Sequence, residues 1–293
     1  MKKFYGAMTA IVTPMAFGEV DEIGLKRLVD FQVSEGISGI IPCGTTGESA
    51  TVSFNEHKRI VELTVRSVDG RVPVVAGTGA NSTEEAIDLT KSAKKNGVDA
   101  VLSVVPYYNR PSQEGIYQHF KAIARAADIP IFLYNVPSRT AISIFPETVA
   151  RLAKIPNIIG IKEASGDLKN IAEIIRSCPE EFIVLSGDDF TTLPTIAIGG
   201  KGVISVISNI VPGRMSNLVE KALAGDFEFA REEHYKLFGL MKAMFCYPSP
   251  APAKKALELV HVISTSELRL PMTEMEDNNL GQLIAEMSNL GLI

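Results

Sequence analysis

Apolar positions along this chain gather in short runs, and polar segments with helical spacing separate each run from the next. The runs are GAMTAIVTP, ISGIIPCG, VPVVAGTG, DAVLSVVP, IPIFLYNVP, IIGIKEAS, FIVLSGDD and KGVISVIS. They are β-rich and close on Gly, Pro, Asp or Ser, as strands do. Between them, NEHKRIVELTVRSVDG sets Ile60, Val61, Leu63 and Thr64 on one side. The segment STEEAIDLTKSAKKNG opens on Ser82, Thr83 and Glu85 as a capping pattern and closes at Gly97. These segments predict amphipathic helices.

Strands that are apolar on both faces belong to parallel sheets covered by helices, so the alternation leaves either a doubly wound sheet or a closed barrel. Eight repeats within about 225 residues favour the (β/α)8 TIM barrel. Beyond them, AGDFEFAREEHYKLFGLMKAMF, APAKKALELVHVI and DNNLGQLIAEMSNLG predict three further helices without strands. The expected organisation is an α/β barrel over residues 1–225 that carries the active site, then a C-terminal helical domain over 226–293, entered through Gly225 and Asp226.

Composition narrows the partners. The 293 residues are 46% hydrophobic and carry a net charge of −5 with dispersed basic residues, so no electrostatic footprint for nucleic acid or an anionic membrane exists. No stretch reaches the ~18 uninterrupted apolar residues of a membrane span. The opening MKKFYGAMTAIVTP reads as a first strand rather than a secretory leader, because Thr9, Thr13 and Pro14 break its apolar run. Cys43, Cys178 and Cys246 are odd in number and far apart, which suits a reducing cytoplasm and argues against a disulfide framework or structural zinc.

Barrel chemistry sits at the C-terminal ends of the strands. Those positions hold Thr13, Thr45, Thr46, Thr78, Tyr107, Tyr108, Tyr134, Asn135, Lys162, Glu163, Asp188, Ser205 and Ser208. The four histidines, His57, His119, His234 and His261, fall in helical segments, and the carboxylates are not clustered like metal ligands. A metal site has little support.

The lysine in IIGIKEASGD stands out, because an ammonium at the end of an apolar run is costly unless it is paired or loses its proton. Strand alternation sets Ile158, Gly160 and Lys162 on one side and Ile159 and Ile161 on the other. If the latter pair packs on the helices, Lys162 points into the barrel mouth above a glycine that leaves it room. A free amine there is the nucleophile that forms Schiff bases with carbonyl compounds. The alternative is an ion pair with Glu163 or Asp188. One strand earlier, Tyr134 can shuttle protons, and Arg139 in the following loop offers a planar fork for a carboxylate. In GTTGES, Gly44 and Gly47 allow the tight turn of an anion-holding loop; no GK[ST] follows, so a nucleotide is poorly supported.

GTTGES at 44–49, GTGAN at 77–81, PYYNRPSQEG at 106–115, YNVPSRT at 134–140, GIKEASGD at 160–167, LSGDD at 185–189, GVISV at 202–206 and RLPM at 269–272 occur in order. In these motifs the chain resembles the 4-hydroxy-tetrahydrodipicolinate synthase family. The resemblance implies a Schiff-base lyase that condenses pyruvate with L-aspartate 4-semialdehyde in the diaminopimelate and lysine pathway and requires no metal or organic cofactor. By resemblance, Lys162 forms the imine, Tyr134 exchanges the protons, and Thr45 and Tyr108 complete a relay toward solvent. Thr46, Gly187 and the Ile204 backbone bind pyruvate, and Arg139 receives the carboxylate of the semialdehyde. Tyr108 serves the neighbouring subunit, which implies a dimer paired into a homotetramer. L-Lysine is the implied feedback inhibitor at the subunit interface, at Ser49, Ala50, Phe54, His57, Asn81, Glu85 and Tyr107. Phe54 departs from the histidine that several inhibited members carry. The nearest alternative is a sialic acid or keto-deoxy sugar acid lyase, which shares the lysine and tyrosine and differs where the second substrate docks. A non-catalytic carboxylate-binding barrel and a phosphate-binding barrel enzyme are the more distant readings; Asp188 and Asp189 disfavour phosphate.

Overall fold

The computed structural model describes residues 4–293. Each apolar run contains one strand: β1 (Gly6–Ala10), β2 (Gly39–Ile41), β3 (Val75–Gly77), β4 (Ala100–Val104), β5 (Ile131–Asn135), β6 (Ile158–Glu163), β7 (Ile183–Ser186) and β8 (Gly202–Ser205). Within this sheet all neighbouring strands are parallel, β1 lies between β2 and β8, and the sheet runs on through β7, β6, β5 and β4 to β3. A parallel bridge between Ile40 and Val74 brings β2 back to β3, so the sheet curls into the expected barrel. The first strand begins at Gly6, inside the opening segment; Met1, Lys2 and Lys3 lie outside the described residues.

Helices cover the outside. In α1 (Glu22–Ser34), α2 (Phe54–Val68), α3 (Thr83–Lys95) and α4 (Gln113–Ala126), apolar residues recur at helical spacing, so one stripe of each meets the sheet. Local chemistry sets where they start. Ser53 caps α2 by accepting from the Glu56 N–H while the Glu56 carboxylate accepts from the Ser53 N–H, and Ser82 caps α3 by accepting from Glu85 N–H. The circuit is completed by α5 (Pro146–Leu152), α6 (Leu168–Ser177), α7 (Thr192–Ala197) and α8 (Pro212–Leu223).

The chain then turns through Gly225 at φ +87°, and Asp226 caps α9 (Phe227–Ala243), which is followed by α10 (Ala251–Leu259) and α11 (Asp277–Asn289). Leu237, Leu240, Met241, Ala256, Leu257, Leu283 and Met287 from these three helices join the same apolar cluster as the barrel's outer layer. His57, His119 and His234 lie in helices as expected; His261 does not, because the chain leaves α10 two residues earlier and His261 takes up a left-handed conformation.

A second, smaller cluster fills the barrel. Met8, Ile41, Val75, Leu102, Phe132, Leu185 and Ile204 point inward from seven strands. The alternation expected for β6 holds only in its upper half. Ile131 is opposite Ile158, but Phe132 is opposite Gly160, so β6 carries an extra residue at this point. As a result Ile158 packs outward with Ile161, while Ile159 turns toward the inner cluster. Above the bulge the period of two resumes, and Gly160 and Lys162 face inward.

Candidate active site

Tyr134 and Lys162 are opposite each other in the pairing of β5 with β6, so both side chains project from adjacent strand ends into the barrel mouth. Lys162 is 5% exposed, and its Nζ lies over the Tyr134 ring, 4.4 Å from the centroid. The aromatic face supplies weak attraction to a cation without committing the amine to a carboxylate. Neither ion pair considered for Lys162 forms. Glu163, one residue on, points to the other face of the sheet, where its carboxylate is taken up by Asn135, Ser165 and Asn170. Asp188 instead accepts from the Phe190 N–H.

Room for the lysine comes from a different glycine than the alternation suggests. At Gly160 a Cβ would lie 2.4 Å from the Ile183 carbonyl oxygen and 2.6 Å from Cε1 of Phe132, so its bareness accommodates the Phe132 ring. At Gly187 a Cβ would lie 2.6 Å from Cβ of Ala164 and 3.0 Å from both Cγ and Cε of Lys162. Gly187 therefore clears the space beside the amine, and its N–H donates to the Glu163 carbonyl at 2.7 Å.

The GTTGES stretch forms a tight loop after β2, with Gly47 and Glu48 N–H groups donating to the carbonyls of Gly44 and Thr45. A Cβ at Gly47 would press on the backbone of Cys43 and the Ile11 carbonyl, so the loop packs closely only because this residue is bare. Thr46 is buried, while Thr45 borders a cavity of about 470 Å³. Arg139, Tyr107, Ser49, Ala50, Phe54, His57 and Glu85 line the same cavity. His57 contacts the Gly77 carbonyl at 2.7 Å through Nε2, and burial holds its imidazole below the usual range. Asn81 is not part of this lining; its carbonyl accepts from the Asn109 side chain. Ile204 packs with Tyr134 in the inner cluster. Tyr108 belongs to neither group: it is 90% exposed, at φ +71°, and reaches out from the surface.

Three buried groups that the motifs alone do not explain hold this arrangement. Asp189 accepts from the N–H groups of Val206 and Ile207, which anchors the chain as it leaves β8; burial raises its carboxyl above the usual range. Glu48, in a left-handed conformation, is ion-paired with Lys254 of α10. Asn135 binds Glu163. The last of these was visible in the sequence only as two polar residues directly following Tyr134 and Lys162. Among the described residues, no cluster of His, Cys, Asp and Glu is suited to a metal, and no helix is long and apolar enough to cross a membrane.

A (β/α)8 barrel that presents a buried, unpaired lysine beside a tyrosine at the tips of β5 and β6 defines an enzyme of the Schiff-base class. Comparison with known proteins narrows this. Residues 3–290 match the model of the dihydrodipicolinate synthetase family, and the chain belongs to that family. It is 62% identical to the 4-hydroxy-tetrahydrodipicolinate synthase of Desulfotalea psychrophila, over 100% of this chain and 99% of the relative. Among solved structures, the dihydrodipicolinate synthase from Aquifex aeolicus superposes with a TM-score of 0.97 at 45% identity, covering 99% of both chains. The enzyme from Cyanidioschyzon merolae, solved with lysine bound, gives 0.96 at 42% identity, again covering 99% of both.

Proposed function

We propose that this enzyme condenses pyruvate with L-aspartate 4-semialdehyde, forming 4-hydroxy-tetrahydrodipicolinate through an imine on Lys162. The observation that carries the reading is the Lys162 amine lying over the Tyr134 ring, both side chains buried at the barrel mouth. Nζ attacks the ketone carbon of pyruvate, and the carbinolamine loses water as Tyr134 gives and takes protons. The imine draws electrons from the adjacent methyl group, which releases a proton to give an enamine. The enamine carbon bonds to the aldehyde carbon of the second substrate, and the aldehyde oxygen takes up a proton. The amino group of that substrate then displaces Lys162 from the imine carbon, which closes the ring and frees the lysine.

In this reading Thr45 and Tyr108 relay protons between Tyr134 and solvent, Thr46, Gly187 and the Ile204 backbone seat pyruvate, and Arg139 receives the semialdehyde carboxylate. The exposure of Tyr108 supports its service in a neighbouring subunit, within a homotetramer built from two dimers. L-Lysine is the proposed inhibitor. Ser49, Ala50, Phe54, His57, Glu85 and Tyr107 share one cavity, where the Glu85 carboxylate suits an ammonium; Asn81, outside that lining, is the remaining proposed contact. Free cysteines among the described residues accord with work in the cytoplasm.

The test is to add pyruvate, reduce with borohydride and map the adduct by mass spectrometry, then to assay turnover of the semialdehyde. A reduced adduct on Lys162 together with turnover is expected. An adduct elsewhere, or turnover of a sugar acid without turnover of the semialdehyde, overturns the reading.

A further inference from the structure

Each of the two residues facing the reaction is followed directly by a fully buried polar residue on the opposite face of the sheet: Asn135 after Tyr134 and Glu163 after Lys162. These two are themselves joined. The Asn135 side-chain amide donates to both carboxylate oxygens of Glu163, at 3.1 and 2.9 Å. The remaining capacity of Glu163 is filled by the Ser165 N–H at 2.8 Å on one oxygen and the Asn170 amide at 3.1 Å on the other. The oxygen of the Asn135 side chain accepts from the Ile144 N–H at 3.2 Å, and Ser143 hydrogen-bonds the same amide. Behind the barrel mouth, one network thus connects β5, β6, the start of α6 and the residues that follow the short helix Pro137–Thr140, in which Arg139 lies rather than in the expected loop.

The chemistry of this network is specific. Every group that faces Glu163 is a donor, so only an acceptor with two equivalent oxygens satisfies all of them. A glutamine would turn its NH2 toward the donating Asn135 amide in either orientation, and Asn135 cannot flip because its oxygen accepts from Ile144. Asn135 is equally constrained, because it must donate to Glu163 and accept from Ile144 at once.

We infer that the Asn135–Glu163 pair is a positioning clamp: it sets the spacing of Tyr134 and Lys162 across the two strand tips and anchors the segment that bears Arg139 to them. The inference rests on the proposed imine chemistry. Neither residue touches the substrate, and the clamp acts through the side chains one position earlier on each strand. Displacing a reacting group by about 1 Å can cost about 10²-fold in rate, and the clamp's loss would act on that scale.

The experiment compares wild type, Glu163→Gln, Asn135→Asp and the isosteric exchange Asn135→Asp with Glu163→Gln, each confirmed folded by circular dichroism at the assay temperature. The exchange restores one donor opposite one carboxylate: Ile144 and Ser143 donate to the carboxylate introduced on β5, the glutamine oxygen accepts from the Ser165 N–H, and the Asn170 side chain turns its amide oxygen to the glutamine NH2. Expected results are a loss of about 10²-fold in the rate of borohydride-trapped imine formation in Glu163→Gln, with the KM for pyruvate changed less than about threefold, and recovery of at least about tenfold in the exchanged double variant. The clamp is overturned if the single variants lose thermal stability while the rate per folded molecule stays at the wild-type value, or if the exchange recovers nothing. If wild type itself gives no adduct at Lys162, the imine reading fails, and the clamp fails with it.

Discussion

Glu48 and Lys254 form an ion pair with almost no access to water: their side chains are 2% and 0% exposed. The lysine reaches in from α10 and also donates to the Glu267 carbonyl at 2.7 Å. The glutamate ends the loop that carries Thr45 and Thr46, and it accepts from the Arg269 N–H as well. The C-terminal helices thus hold an active-site loop from behind. Removing one member strands a buried charge, which typically costs about 3–5 kcal/mol. Lys254→Met is expected to lower stability by about that much in urea titrations, while Lys254→Met combined with Glu48→Gln loses less than the two single changes added together.

The two glycines beside the strand tips separate packing from catalysis. Gly160→Ala drives a methyl group against the Ile183 backbone and Phe132, so it is expected to destabilise the barrel by about 1–3 kcal/mol. Gly187→Ala meets Ala164 and the Lys162 side chain instead. Its principal loss is expected in the rate of imine formation, measured by borohydride trapping on protein that remains folded. Equal rates in Gly187→Ala and wild type would refute the assignment of that space to Lys162.

Tyr134→Phe keeps the ring beneath the amine and removes only the hydroxyl. The imine with pyruvate is still expected at Lys162, because the nucleophile is intact, whereas kcat falls about 10²–10⁴-fold, the usual scale for losing a proton-transfer group. Stopped-flow trapping alongside steady-state kinetics distinguishes these two effects.

Acid sensitivity has an identifiable contributor at the RLPM segment. Arg269 forks onto the Glu56 carboxylate at the start of α2 and holds it down to about 2. A carboxylate with a depressed value stabilises the fold above its unfolded value, ordinarily near 4.5, and that contribution disappears as the pH falls toward 2. The urea midpoint of wild type is expected to drop across this window, and that of Arg269→Met to drop less. Parallel curves would exclude the pair as a source of acid sensitivity.

Much of this was legible in the order of residues alone. Eight short apolar runs, a helical period in the polar segments between them, and serines or aspartates at helix starts are local signals, and each strand and capped helix follows from neighbours in the chain. Lys162 was conspicuous for the same reason, since a charge on an apolar strand end is anomalous within ten residues of sequence. The bulge in β6 was not legible, because it depends on how Ile131 and Phe132 of the adjacent strand pair with it, and it reversed the facing of Ile158 and Ile159. Likewise Gly160 and Gly187 read alike as letters; only the tertiary structure sets one against Phe132 and the Ile183 backbone and the other against Ala164 and the Lys162 side chain.

The sequence by itself determined the barrel, its helical extension and which strand ends bear reactive groups, because periodicity and capping are properties of contiguous residues. The tertiary structure alone decided that Glu163 answers Asn135 rather than Lys162, that Lys254 neutralises Glu48, and that Arg269 pins Glu56. Those choices turn on which donor meets which acceptor once water is excluded, and the partners are brought together only by closure of the barrel and docking of the last helices upon it.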